Sequence, residues 1–256
     1  MSRERYRVVS EARRRPRGRF EIGLLRIVGH HLKKISFLRL TRPRGLPNDP
    51  PSRELLNWAI AAYAFPWLRH FESLISGIVV LNDSGHRAAV RIVGRSSYQL
   101  CAHVYYVKKH LKQHLDLQDL VKARDFLLPI TSGSRYVNDL YPDTSGEFPT
   151  GAHISKAVKC FQEVMPKDSL DDYSYLSEYC HPHMMAFMQD YQWTSPNTID
   201  FAESISFGAF GAITSSAIQG LLAVQELLQL GHENTVRKTV VGLLNEIAER
   251  GKTLYT

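Results

Sequence analysis

Between His86 and Leu115 the chain contains no proline and one interior glycine, Gly94. Val90, Val93, Tyr98, Cys101, Val104, Tyr105 and Leu111 recur there at helical spacing. An uninterrupted stretch of this length and period predicts a single long amphipathic α-helix. Strand signals are nearly absent. Arg3–Ser10 and Arg91–Val93 hold some β-formers, yet no two alternating runs flank a hairpin turn. No repeat with a period of 20–50 residues is visible. The expected fold class is therefore all-α, an irregular helical bundle. A length of 256 residues with 44% hydrophobic content suits one large domain or two small ones and excludes global disorder.

Punctuation divides the rest of the chain. Phe20, Leu24, Ile27, Val28, Leu32, Ile35 and Leu38 mark one face of an amphipathic helix over residues 20–40, whose other face carries Arg26, Lys33, Lys34 and Arg39. Such a helix is expected to dock on its own domain. Pro43, Gly45, Pro47, Pro50 and Pro51 read as a linker, and Ser52 as the N-cap of the next helix. Pro66 is expected to interrupt or kink that helix, and Asn82-Asp83-Ser84-Gly85 to close it in a turn. A short helix is predicted over Leu117–Leu128, ended by Pro129, before a Pro/Gly-rich joint at 129–152. Helices resume at His153–Met165 and Leu170–Cys180, the latter capped by Ser169, and a short one is expected over His183–Tyr191. Residues 204–225 carry no charge, but Thr214, Ser215, Ser216 and Gln219 sit among them. The expectation is a buried central helix or an oligomer interface rather than a membrane span, with Gly231 as its C-cap. The last helix is expected over Asn234–Arg250. The domain reading is a basic N-terminal arm at 1–52 and a helical domain at 53–256.

Charge is distributed unevenly. Residues 1–53 carry 15 Lys/Arg against 4 Asp/Glu, and the remainder 17 against 21, for a total of +7. A dense basic segment is the footprint of a polyanion partner, nucleic acid or an anionic membrane surface. The expected phosphate contacts are Arg13, Arg14, Arg15, Arg17 and Arg19, with Lys33 and Lys34 from the helix that follows. The first 20 residues hold no apolar core of a secretory signal, and three cysteines cannot form a disulfide framework. The expectation is a cytoplasmic protein that is not inserted in a membrane.

Side chains with chemical potential are few. His103, His110 and His114 fall within about 40° of one helix face, and a solvated or partner-facing stripe is expected. Lys108, Lys109 and Lys112 surround the His110–His114 pair and oppose a bound cation. Glu178 and His181 form one Glu-x-x-His pair, whereas a dimetal bundle needs two. No metal or cofactor is expected. His181 stands before Pro182 and so projects from a helix end, where it suits acid–base work. GxSxG, P-loop and strand-borne GxGxxG patterns are absent.

The helix Arg91–Leu115, the Pro/Gly-rich loop and the Tyr-x-Leu-Ser-Glu-Tyr-x-His-Pro segment around Tyr173–Pro182 together resemble uncharacterised bacterial all-helical proteins of the HEPN-like kind. The resemblance spans residues 54–190. It implies a dimer of helical bundles and metal-independent RNA cleavage by an Arg and a His with four to six residues between them. Here no Arg precedes His181 at that spacing, which only Arg26 with His31 meets. The expected centre is thus assembled in three dimensions from His181, Glu178 and Arg95. The expected function is that of a nucleic-acid-associated, homo-oligomeric protein with a HEPN-like ribonuclease chemistry. The alternative is a non-enzymatic interaction protein whose basic arm docks an acidic partner or membrane surface.

Overall fold

The computed structural model describes residues 17–35, 52–132, 154–165, 172–178, 191–195, 198–201 and 207–252. The fold is all-α. Its helices are α1 (Arg17–Lys33), α2 (Arg53–Asp83), α3 (Arg87–Asp116), α4 (Leu120–Ser132), α5 (Ile154–Gln162), α6 (Asp172–Glu178), α7 (Phe207–Leu230) and α8 (Asn234–Lys252). The linker at 42–51, most of the joint at 129–152, Ser169 and the segment 183–190 lie outside the described residues. So do Arg3–Ser10 and Arg13–Arg15.

Two compact units share these helices. One takes its described residues from 1–30, 72–98 and 165–217, the other from 31–71, 99–164 and 218–256. In the first, Leu25, Val28, Ile75, Ile78, Val90, Tyr98, Leu176 and Ile213 are buried. In the second, Ile60, Leu68, Phe71, Val104, Leu111, Leu127, Phe161, Leu221, Leu227 and Val240 are buried. Burying each such side chain contributes about 1.5–3 kcal/mol.

Local chemistry sets the helix ends. The Leu55 N–H donates to Ser52 Oγ at 3.1 Å, the expected N-cap of α2. Asn82–Gly85 closes it. The His86 N–H reaches the Leu81 carbonyl at 2.8 Å and the Gly85 N–H reaches that of Asn82 at 3.0 Å, with Gly85 at φ 75°. The ends of α3 and α7 repeat this pairing on Gln118 and His232, both in the left-handed region. The expected cap at Gly231 is thus displaced by one residue. Gly231 is buried because a Cβ there would lie 2.7 Å from Ile60 Cγ2, which leaves the left-handed turn to exposed His232.

Both prolines fall inside helices, so the expected interruption at Pro66 and the expected end at Pro129 do not occur. Pro66 lies inside α2 and the helix continues through it to Asp83. Losing the Pro66 N–H costs the helix about 3 kcal/mol. Burial of Phe65, Trp67, Leu68 and Phe71 around it offsets that cost. Likewise α4 runs through Pro129 to Ser132 instead of ending there.

Arg91–Val93 belongs to α3, within the long helix expected over His86–Leu115. A short antiparallel pair, β1 (Tyr191–Ser195) and β2 (Thr198–Phe201), stands where no strand was expected. Tyr191 faces Phe201 in register and Trp193 faces Ile199, with an irregularity between Trp193 and Ser195. Helix α7 matches the buried central helix. Ala212, Ile213, Ser216, Ala217, Leu221, Val224 and Leu228 are all buried within the chain itself. Among the described residues no helix is long and apolar enough to cross a membrane.

Candidate functional site

The basic helix α1 is fastened by its apolar face. Leu25, Val28 and Leu32 are at most 2% exposed, and Ile22, Leu24 and Ile35 are buried beside them. The segment from Phe20 onward is therefore packed structure. Some of its positive groups serve that packing. Arg26 pairs with Asp83 at 2.6 Å, and His31 Nε2 lies 2.7 Å from Glu246. Lys33 and Lys34 are exposed at the C-terminal end of the helix, where the macrodipole favours cations. Arg17 and Arg19 occupy the N-terminal turn, which holds no acidic residue. A cation at that end is disfavoured by about 0.3–1 kcal/mol. These two arginines therefore give the helix no help in forming.

Of the catalytic trio expected from the sequence, Arg95 and the helical position of Glu178 lie within the described residues. Half-buried Arg95 lies on α3 with its guanidinium carbon 5.8 Å from the centre of the Tyr173 ring. Tyr98, one turn further on, packs its ring 5.5 Å from the same tyrosine. This stretch of α3 thus lies against α6, which Glu178 closes. From Tyr173 to Glu178 is about 7.5 Å along the axis and 140° around it, so Arg95 meets the start of α6 and Glu178 stands at its end. His181 lies outside the described residues. One turn before Arg95, Arg91 is only 1% exposed, an interior position that its residue type did not announce.

The three histidines of the stripe are half-buried. His103 lies in the wall of an open cleft of about 260 Å³, with Tyr63 and Trp67 of α2 among its neighbours. The Tyr63 hydroxyl is 2.8 Å from His103 Nδ1, and Trp67 Nε1 donates to the Leu100 carbonyl at 2.9 Å. Burial lowers the His103 pKa and raises that of Tyr63 far above its ordinary value, with the Cys101 thiol adding to the rise on Tyr63. Both groups are held neutral. His110 and His114 instead flank Phe126 of α4, their rings 5.7 and 5.9 Å from it, and the Tyr106 ring lies 4.2 Å from His110, tilted by 47°. The His110 pKa is lowered by burial, then by Lys109 and His114.

Sequence reasoning missed the Tyr63–His103 pair. The two residues are 40 positions apart, and no motif joins them. The one available signal was a proline inside a helical stretch. Among the described residues no three His, Cys, Asp or Glu side chains gather as a metal site. Comparison of the chain with protein-family models, with curated proteins and with solved structures finds no match.

Proposed function

We propose that this chain is a nucleic-acid-associated protein that grips phosphates with Arg13, Arg14, Arg15, Arg17, Arg19, Lys33 and Lys34. The observation that carries this reading is the placement of charge on α1. Its apolar face is buried, its last two cations are exposed, and the arginines at its start oppose the helix dipole. The exposed Lys33 and Lys34 are available to a polyanion, and a chain net of +7 strengthens long-range attraction. Charge reversal is a cleaner test than truncation, because removing residues 1–44 would uncover Leu25, Val28 and Leu32. Lys33→Glu with Lys34→Glu is expected to weaken RNA binding at low salt while leaving the thermal midpoint within a few degrees. Unchanged RNA affinity in a folded double variant overturns the assignment of the two lysines.

Arg95 favours a ribonuclease chemistry as the form of this function. A guanidinium beside the helix that leads to His181 can steady a phosphate while His181 takes the 2′-hydroxyl proton. Arg95→Lys keeps the charge but loses the two-pronged donor geometry. Purified Arg95→Lys protein is expected to cleave RNA at least about tenfold more slowly, and cleavage at the parent rate would exclude Arg95. The same reading places the protein in the cytoplasm as a homo-oligomer.

A further inference from the structure

The cleft beside Tyr63 and His103 has the composition of a ligand site. Its polar groups are few and fixed. A phenol is a better donor than a neutral imidazole N–H, and an imidazole nitrogen a better acceptor than a phenol oxygen. The 2.8 Å bond therefore runs from the Tyr63 O–H to His103 Nδ1, which puts the imidazole hydrogen on Nε2 as a donor. An acceptor comes from the same wall. Pro66 has no N–H, so the Ala62 carbonyl four residues earlier lacks its helical partner, and both residues line the cleft. The remaining walls include Trp67, Leu100 and Ile130, with exposed His70 also bordering the cleft. The Trp67 N–H is already committed to the Leu100 carbonyl. Among the described residues, no Lys, Arg, Asp or Glu borders the space.

We propose that this cleft binds a small, uncharged, planar heterocycle through a lactam edge, its carbonyl accepting from His103 Nε2 and its N–H donating to the Ala62 carbonyl. A volume of about 260 Å³ equals roughly nine waters at ~30 Å³ each. That suits a single ring with small substituents. The described walls carry no formal charge and so disfavour a charged ligand, whose desolvation they do not repay. Flat apolar sides with one donor and one acceptor are the usual makeup of small-molecule sites. The proposal uses none of the basic residues of α1 and stands apart from the nucleic-acid reading.

The probe is uracil, titrated into the full chain and followed by saturation-transfer NMR, with 1,3-dimethyluracil as the analogue that lacks the N–H donor. Uracil is expected to bind saturably in the ~0.1–10 mM range, and dimethyluracil more weakly. Pro66→Ala returns an N–H to the Ala62 carbonyl and strengthens the helix, so the protein stays folded. It is expected to weaken uracil about tenfold and to leave dimethyluracil unchanged. Tyr63→Phe frees the tautomer of His103 and is expected to weaken both probes. Absence of saturable uracil binding overturns the proposal. So does a Pro66→Ala variant that binds uracil as the parent does, or that loses both probes equally.

Discussion

Burial favours the neutral forms of Tyr63 and His103. That has a consequence for stability at acid pH. A histidine with a lowered pKa in the folded chain binds fewer protons than it does unfolded. Its contribution is complete above the unfolded value of ~6.5 and is lost as the pH falls toward the folded one. His110 shifts in the same direction and adds to the effect. The urea midpoint is therefore expected to be flat near neutrality and to fall below about pH 6.5. His103→Gln should flatten part of that fall, whereas an unaltered profile would contradict the assignment. Asp119 and Glu163 shift downward through their bonds to Lys122 and Lys109. They act only at lower pH, below the ordinary carboxylate range, so the histidine step is separable.

At the scale of elements, the sequence was most legible where one local rule acted alone. The run from His86 to Leu115 lacked breakers and became α3, and Ser52 capped α2 as its side chain allows. The uncharged stretch became a buried helix because its small residues admit neighbours. A Cβ on Gly220, for example, would lie 2.6 Å from Cys101 Sγ. Legibility failed where tertiary packing overrode a local rule. Pro66 and Pro129 stayed inside helices, and Gly231 gave its capping role to His232 because Ile60 occupies the space a side chain would need. The β1–β2 pair escaped notice because strands of five and four residues offer little alternation to read. The Tyr63–His103 contact was invisible for a related reason, since it joins two helices that reveal only their own periods. One pair of substitutions tests the displaced cap. Gly231→Ala should destabilise by about 1–3 kcal/mol through overlap with Ile60. His232→Gly should stabilise by roughly 0.5–1 kcal/mol by relieving the left-handed backbone. Urea denaturation reads both, and the opposite order would place the cap on Gly231.

For the whole molecule, the uneven charge matters more than any single contact. Residues 54–256 carry a slight negative excess, and the positive excess lies in the first 53 residues. Packing holds the middle of that segment by its apolar face and uses Arg26 in an ion pair, while Lys33 and Lys34 remain exposed. A polyanion that binds there displaces counterions in proportion to the phosphates contacted, so affinity must depend steeply on salt. The most direct measurement is the affinity of the full chain for a single-stranded RNA across salt concentration, read by fluorescence anisotropy. Seven phosphate contacts predict a log–log slope of about −5 for a single strand. Replacing Arg13, Arg14, Arg15, Arg17 and Arg19 with alanine should reduce it to about −1.4. A slope near zero in the parent chain, or one that the five replacements leave unchanged, contradicts the account.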